Sequence, residues 1–153
     1  MKIHEAANSR ILLHKGGGIV MRKIIYTGVF FDMPALYSEM NKRLSRKKLY
    51  REIEKPHVTV QYKPRDVNTS LFGQEVEFTV TGYAVDGRNE GVAVQFSKDG
   101  LPQELCELLE GIKVPHITLS VSKDGKPVDT GRLQFHACQP FKIRGTYQPF
   151  YAG

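Results

Sequence analysis

From Arg22 to Phe31 apolar and polar positions alternate through a run rich in β-branched and aromatic residues, and this period of two predicts a strand. The period then lengthens. Leu36, Met40 and Leu44 recur every four residues with Tyr37 beside them, predicting a helix capped by Asp32, with Pro34 in its first turn, that runs to about Lys47. Alternation returns after Pro56 and stops at Lys63-Pro64. Residues 66–73 read as a loop and Glu75 to Val85 as a long strand. Asp86-Gly87-Arg88-Asn89 carries turn chemistry and leads into Gly91 to Phe96, so this stretch is a hairpin. Pro102 opens a second helix whose buried side is Leu105, Leu108, Leu109 and Ile112, with Gly111 near its end. A further strand starts at His116, a turn-rich stretch runs from Lys123 to Pro127, and Leu133 to Phe135 and Phe141 to Tyr147 predict two more strands. Ahead of all this, Ala6-Ala7 and Arg10 to Leu13 predict a short helix stopped by His14-Lys15 and three glycines. Residues 1–20 are thus expected to be an appendage to a single domain over 21–153.

Strand, helix and strand therefore occur in that order twice, and the last strand of each set opens with the same pattern. Lys55-Pro56-His57-Val58-Thr59-Val60 and Val114-Pro115-His116-Ile117-Thr118-Leu119 each place proline before histidine, a β-branched residue between histidine and threonine, and an aliphatic residue after. Strict alternation puts His57, Thr59 and Gln61 on one face and Val58, Val60 and Tyr62 on the other. In the second copy it sets His116, Thr118, Ser120 and Ser122 against Ile117, Leu119 and Val121. One face suits a core and the other suits chemistry. A single His-x-Thr is at home on any half-exposed strand, but two copies in one frame favour a shared site over two unrelated strand histidines.

Two imidazoles can act as acid and base near neutral pH, and the two threonine hydroxyls can donate to an anionic group held between them. Neither motif has a carboxylate pair beside it, and the chain has no His-x-x-x-His, His-Glu-x-x-His or Cys-x-x-Cys, so neither metal nor other cofactor is expected. A net charge of +6 favours an anionic partner such as a nucleotide or RNA, although solubilising surface charge explains the net value equally well. The densest positive cluster is Lys42, Arg43, Arg46, Lys47 and Lys48, read first as a solvated helix face. Cys106 and Cys138 are not spaced as metal ligands, and with no apolar run of membrane-spanning length they point to a cytoplasmic protein. At 153 residues the chain suffices for one well-buried core.

The duplicated Pro-His-x-Thr-aliphatic motif resembles the two-histidine phosphoesterase superfamily. His116-Ile117-Thr118-Leu119, followed by Lys126-Pro127-Val128-Asp129-Thr130-Gly131, is similar to the cyclic phosphodiesterase part of fungal and plant tRNA ligases. The resemblance implies an α+β fold of duplicated β-α-β halves, with two antiparallel sheets about a central cleft where His57 and His116 meet. It implies a metal-independent hydrolase of a 2′,3′-cyclic phosphate in a nucleotide or RNA. In that scheme His57 is the acid, His116 the base, and Thr59 and Thr118 hold the non-bridging oxygens. Small phage members of the superfamily extend the implied substrates to cyclic oligonucleotide immune signals. Candidate substrate-binding residues are Ser120, Tyr26 and Tyr147, with Tyr62 least favoured because alternation turns it from His57. Ser122 and Gln61 continue the polar faces, and the aromatic tail from Tyr147 to Tyr151 is expected mainly to pack on the sheet edge. A non-catalytic nucleotide- or RNA-binding module and a ligand-free structural domain remain the rival readings.

Overall fold

The computed structural model describes residues 10–15 and 18–152. Their strands are β1 (Arg10–Lys15), β2 (Gly18–Phe30), β3 (Arg51–Glu52), β4 (His57–Tyr62), β5 (Glu75–Val85), β6 (Asn89–Phe96), β7 (His116–Val121) and β8 (His136–Tyr151). The helices are α1 (Met33–Arg43) and α2 (Gln103–Glu110), with short 3₁₀ segments at Thr69–Leu71 and Pro127–Arg132. The fold is α+β, and every strand pairing is antiparallel.

Long β5 and β8 pair through the middle of the sheet. Outward from them lie β2 and then β4 on the β8 side, and β6 and then β7 on the β5 side. α1 links β2 to β4 and α2 links β6 to β7, so each half runs strand, helix, motif strand. The two sheets expected are instead one continuous sheet, because the β5–β8 ladder joins the halves with backbone hydrogen bonds. Two-residue β3 pairs with the outer edge of β7, and β4 and β7 approach each other with no ladder between them.

The apolar stripes of both helices, Leu36, Tyr37 and Met40 with Leu105 and Leu109, share one core with the inward positions Val29, Val58, Phe78, Val80, Val92, Val94 and Ile117. Asp32 caps α1 by accepting from the Ala35 amide at 3.0 Å, as its position predicts. α1 ends at Arg43 and not near Lys47, because the chain turns extended at Leu44 and carries Arg46 inward. There the Arg46 guanidinium makes a two-pronged pair with Glu90 at 2.8 and 2.9 Å and reaches Glu52 at 2.9 Å. Its side chain is buried, so one member of the expected solvated cluster is an internal ion-pair partner.

Three other expectations change. Arg10–Lys15 is extended and pairs with the first half of β2, where a free strand edge offers backbone partners, so residues 10–13 are not helical. Residues 1–9, with Ala6-Ala7, lie outside those described, and the boundary expected after residue 20 falls inside β2. Leu133 to Phe135 is not a strand; the chain leaves the 3₁₀ segment there and enters β8 at His136, and Phe141 to Tyr147 lies within that strand. Among the described residues no helix is long and apolar enough to cross a membrane.

Candidate active site

The proline before each histidine does two things. Its ring disfavours the helical region for the residue before it, and Lys55 and Val114 each stand in a bend that leads into the motif strand. Its own carbonyl pairs with the neighbouring strand: Phe31 N–H donates to Pro56 O at 3.0 Å and Val94 N–H to Pro115 O at 3.1 Å. Each imidazole then finds the carbonyl two residues back, with His57 Nδ1 2.9 Å from Lys55 O and His116 Nδ1 2.7 Å from Val114 O. A carbonyl can only accept, so both Nδ1 atoms carry hydrogen and both Nε2 atoms remain for chemistry.

Opposite each threonine stands a glycine. Gly28 pairs with Thr59 and Gly91 with Thr118, and a Cβ on either would come within 2.8 Å of the carbonyl oxygen between the motif histidine and threonine, Val58 O or Ile117 O. One step later both ladders shift register: Thr27 faces Gln61 and Glu90 faces Ser120, leaving Val60 and Leu119 as the extra residues of two β-bulges. A bulge reverses alternation, and this corrects two assignments. Tyr62 returns to the side of His57 and lines the cleft, while Ser120 turns inward and is fully buried. The Ser120 hydroxyl donates to Glu90 at 2.6 Å and accepts from the Leu49 amide at 2.9 Å, so it does not face a substrate.

His57, Thr59, His116 and Thr118 line one cleft of about 570 Å³, together with Tyr26, Ile53, Tyr62, Ile112, Pro127 and Val128. The walls are mainly apolar, and Tyr62 and Val128 stand exposed at 67% and 79% on its rim. No carboxylate or thiol is among these lining residues. Among the described residues no cluster of three or more His, Cys, Asp or Glu side chains is placed to hold a metal.

Tyr26 is in the cleft but its ring is occupied, stacking on His57 at 4.8 Å and on Phe150 at 4.9 Å between centroids. It braces His57 and is not a free platform for a base. Tyr147 is not in the cleft: it is 1% exposed in the core, packed on Phe72 at 5.5 Å, because its partner in the ladder is the inward-facing Val29. Gly131 lies against the ring of His116, where a Cβ would come within 3.1 Å of Cε1.

Burial pushes the His57 imidazole below its ordinary value. The charge of the facing His116 adds to this, and the bond to the Lys55 carbonyl opposes it. His57 is therefore neutral at neutral pH and able to accept a proton.

The threonines differ. Thr59 is exposed and makes no side-chain hydrogen bond among the described residues, whereas Thr118, 9% exposed, lies 3.1 Å from Pro127 O and 2.8 Å from Thr130 Oγ1. On the apolar wall, Ile53 and Ile112 had no motif to announce them, whereas Pro127 and Val128 stand in the run from Lys126 to Gly131 that follows the second motif. The glycines did have a signal, since Gly-Val stands before each motif at 28–29 and 91–92. No protein-family model and no curated protein matches the sequence of this chain.

Proposed function

We propose that the protein is a metal-independent phosphodiesterase of the two-histidine type, hydrolysing a cyclic phosphate in a nucleotide or RNA. The observation that carries this reading is the pair of imidazoles at one cleft, each with Nδ1 tied to the carbonyl two residues back and Nε2 left to act.

Neutral His57 takes a proton from water at Nε2 while the water oxygen attacks phosphorus in line. The bond from phosphorus to the ribose oxygen breaks, and the protonated form of His116 gives its Nε2 proton to that oxygen. One water is consumed and a phosphomonoester results. These roles reverse those implied by the family resemblance, and the reason is the burial of His57. Thr59 and Thr118 donate to the non-bridging oxygens as charge builds. The exposed Tyr62, with Lys63 Nζ 5.4 Å from the centre of its ring, and the apolar wall of Ile53, Ile112 and Val128 suit a nucleobase that carries a phosphate. Exposed Lys55, Lys63, Lys113 and Lys126 flank the lining segments and favour an anionic ligand.

A cyclic oligonucleotide is the second reading, favoured by a rim open at Tyr62 and Val128 that leaves room beyond the scissile group. Purified protein in EDTA is offered 2′,3′-cyclic AMP, an RNA ending in a cyclic phosphate and a 3′,3′-cyclic dinucleotide. Turnover of any one supports the chemistry and identifies the substrate. Binding without turnover would make the protein a nucleotide-binding module, and activity that returns only with divalent metal would make the histidines metal ligands.

A further inference from the structure

Thr130 belongs to neither motif, yet it is fully buried and its hydroxyl lies 2.8 Å from that of Thr118. Asn89, at the start of β6, donates from Nδ2 to Thr130 Oγ1 at 2.9 Å and to Lys126 O at 2.7 Å. Thr118 Oγ1 also lies 3.1 Å from the Pro127 carbonyl. Each hydroxyl has one proton, and Pro127 O can only accept. The arrangement that serves every group runs one way: Asn89 donates to Thr130, Thr130 to Thr118, and Thr118 to Pro127 O.

We propose that Thr130 is a positioning residue that fixes the direction of the Thr118 hydroxyl. By donating into Thr118 Oγ1 it leaves the Thr118 proton as the only one that can be given away, aimed along the cleft wall. A phosphate oxygen then replaces Pro127 O, the longest bond of the chain, as its acceptor. Thr59 has no such support, so the two threonines are unequal: one is oriented before substrate arrives and the other turns to meet it. This inference rests on the phosphodiesterase reading of the cleft.

The test is a double-mutant cycle on whichever of the three probes named above the wild type hydrolyses fastest. Thr130→Val is expected to lower kcat by roughly tenfold to a hundredfold with KM little changed, and Thr130→Ser to restore most of the rate. In a Thr118→Val background, Thr130→Val should cost almost nothing more, because its effect passes through the hydroxyl already removed. Losses that multiply in the double variant, or a Thr130→Ser protein as slow as Thr130→Val, would overturn the assignment and leave Thr130 a packing residue. Should Thr130→Val fail to fold, Thr130→Ser and Thr130→Ala in the two backgrounds carry the same comparison. A wild type active on a probe with Thr130→Val equally active refutes this inference alone; a wild type inactive on all three removes the phosphodiesterase reading as well.

Discussion

An imidazole whose Nδ1 is held by a backbone carbonyl has one nitrogen left, and at this cleft there are two such nitrogens with no third donor of metal-binding type among the lining residues. Replacing either ring by the amide of His57→Asn or His116→Asn is expected to cut turnover at least a thousandfold while circular dichroism stays that of the wild type, because neither residue can take the other's proton. Comparable activity in either variant would end the acid and base assignment. The depressed His57 also couples to folding. The unfolded chain has its histidine at the ordinary value of 6.5 and the folded one has it lower, so below 6.5 the unfolded state holds more protons. Its contribution to stability is complete above that value and is lost as pH falls from it toward the folded value. Urea denaturation at several pH values should show a fall on acidification that is shallower in His57→Gln. At this scale the gathering of His57, Thr59, His116 and Thr118 at one cleft was readable, because they carry a repeated pattern. The sequence misled at Ser120 and Tyr62, since a bulge has no marker in a run of strand-forming residues, and at Tyr147, whose burial depends on which strand pairs beside it.

Elements built from long periodic runs were legible: β5 and the β5–β6 turn, the second helix, the N-terminus of α1 and both motif strands. What failed were ends and edges. α1 stops early for Arg46, whose partner Glu90 is far along the chain, and no local pattern reveals such a pairing. β1 is extended because β2 offers it an edge, and propensity alone sees only a short apolar run between polar ones. The glycines opposite each threonine are the element-level counterpart of the motifs, for they let the neighbouring strand approach the carbonyl between histidine and threonine. Gly28→Ala and Gly91→Ala should each destabilise the protein by about 1–3 kcal/mol through overpacking. Gly91→Ala should be the worse, because its Cβ also meets the Thr130 methyl. Thermal melts decide this, and an unchanged melting temperature in both would show that the ladders yield freely.

Across the whole molecule, the buried Arg46–Glu90 pair ties the segment after α1 to β6, and hydrogen bonds from Tyr83 at 2.7 Å and Ser120 at 2.6 Å complete the carboxylate's shell. Burial alone would raise the Glu90 carboxyl; the bonds from Arg46, Ser120 and Tyr83 outweigh it and hold the group below its ordinary value. Arg46→Met strands that charge and should cost about 3–5 kcal/mol in urea denaturation, of which Arg46→Met with Glu90→Leu recovers part. A single variant as stable as the wild type would show that water reaches the carboxylate. The network includes the inward-facing Ser120 of β7, while the histidines stand on β4 and β7, two strands that face each other with no ladder between them. The gap between the two imidazoles is thus laced by one stretch of chain, residues 53–56, with Ile53 N–H donating to Leu119 O at 3.0 Å at the β7 end and Phe31 N–H to Pro56 O at 3.0 Å at the β4 end. Its width is set by how far a sheet of six successive strands, from β4 to β7, bows upon itself. Admitting a larger guest asks that sheet to flex like a leaf spring, and asks the two-residue β3–β7 pairing either to follow or to part.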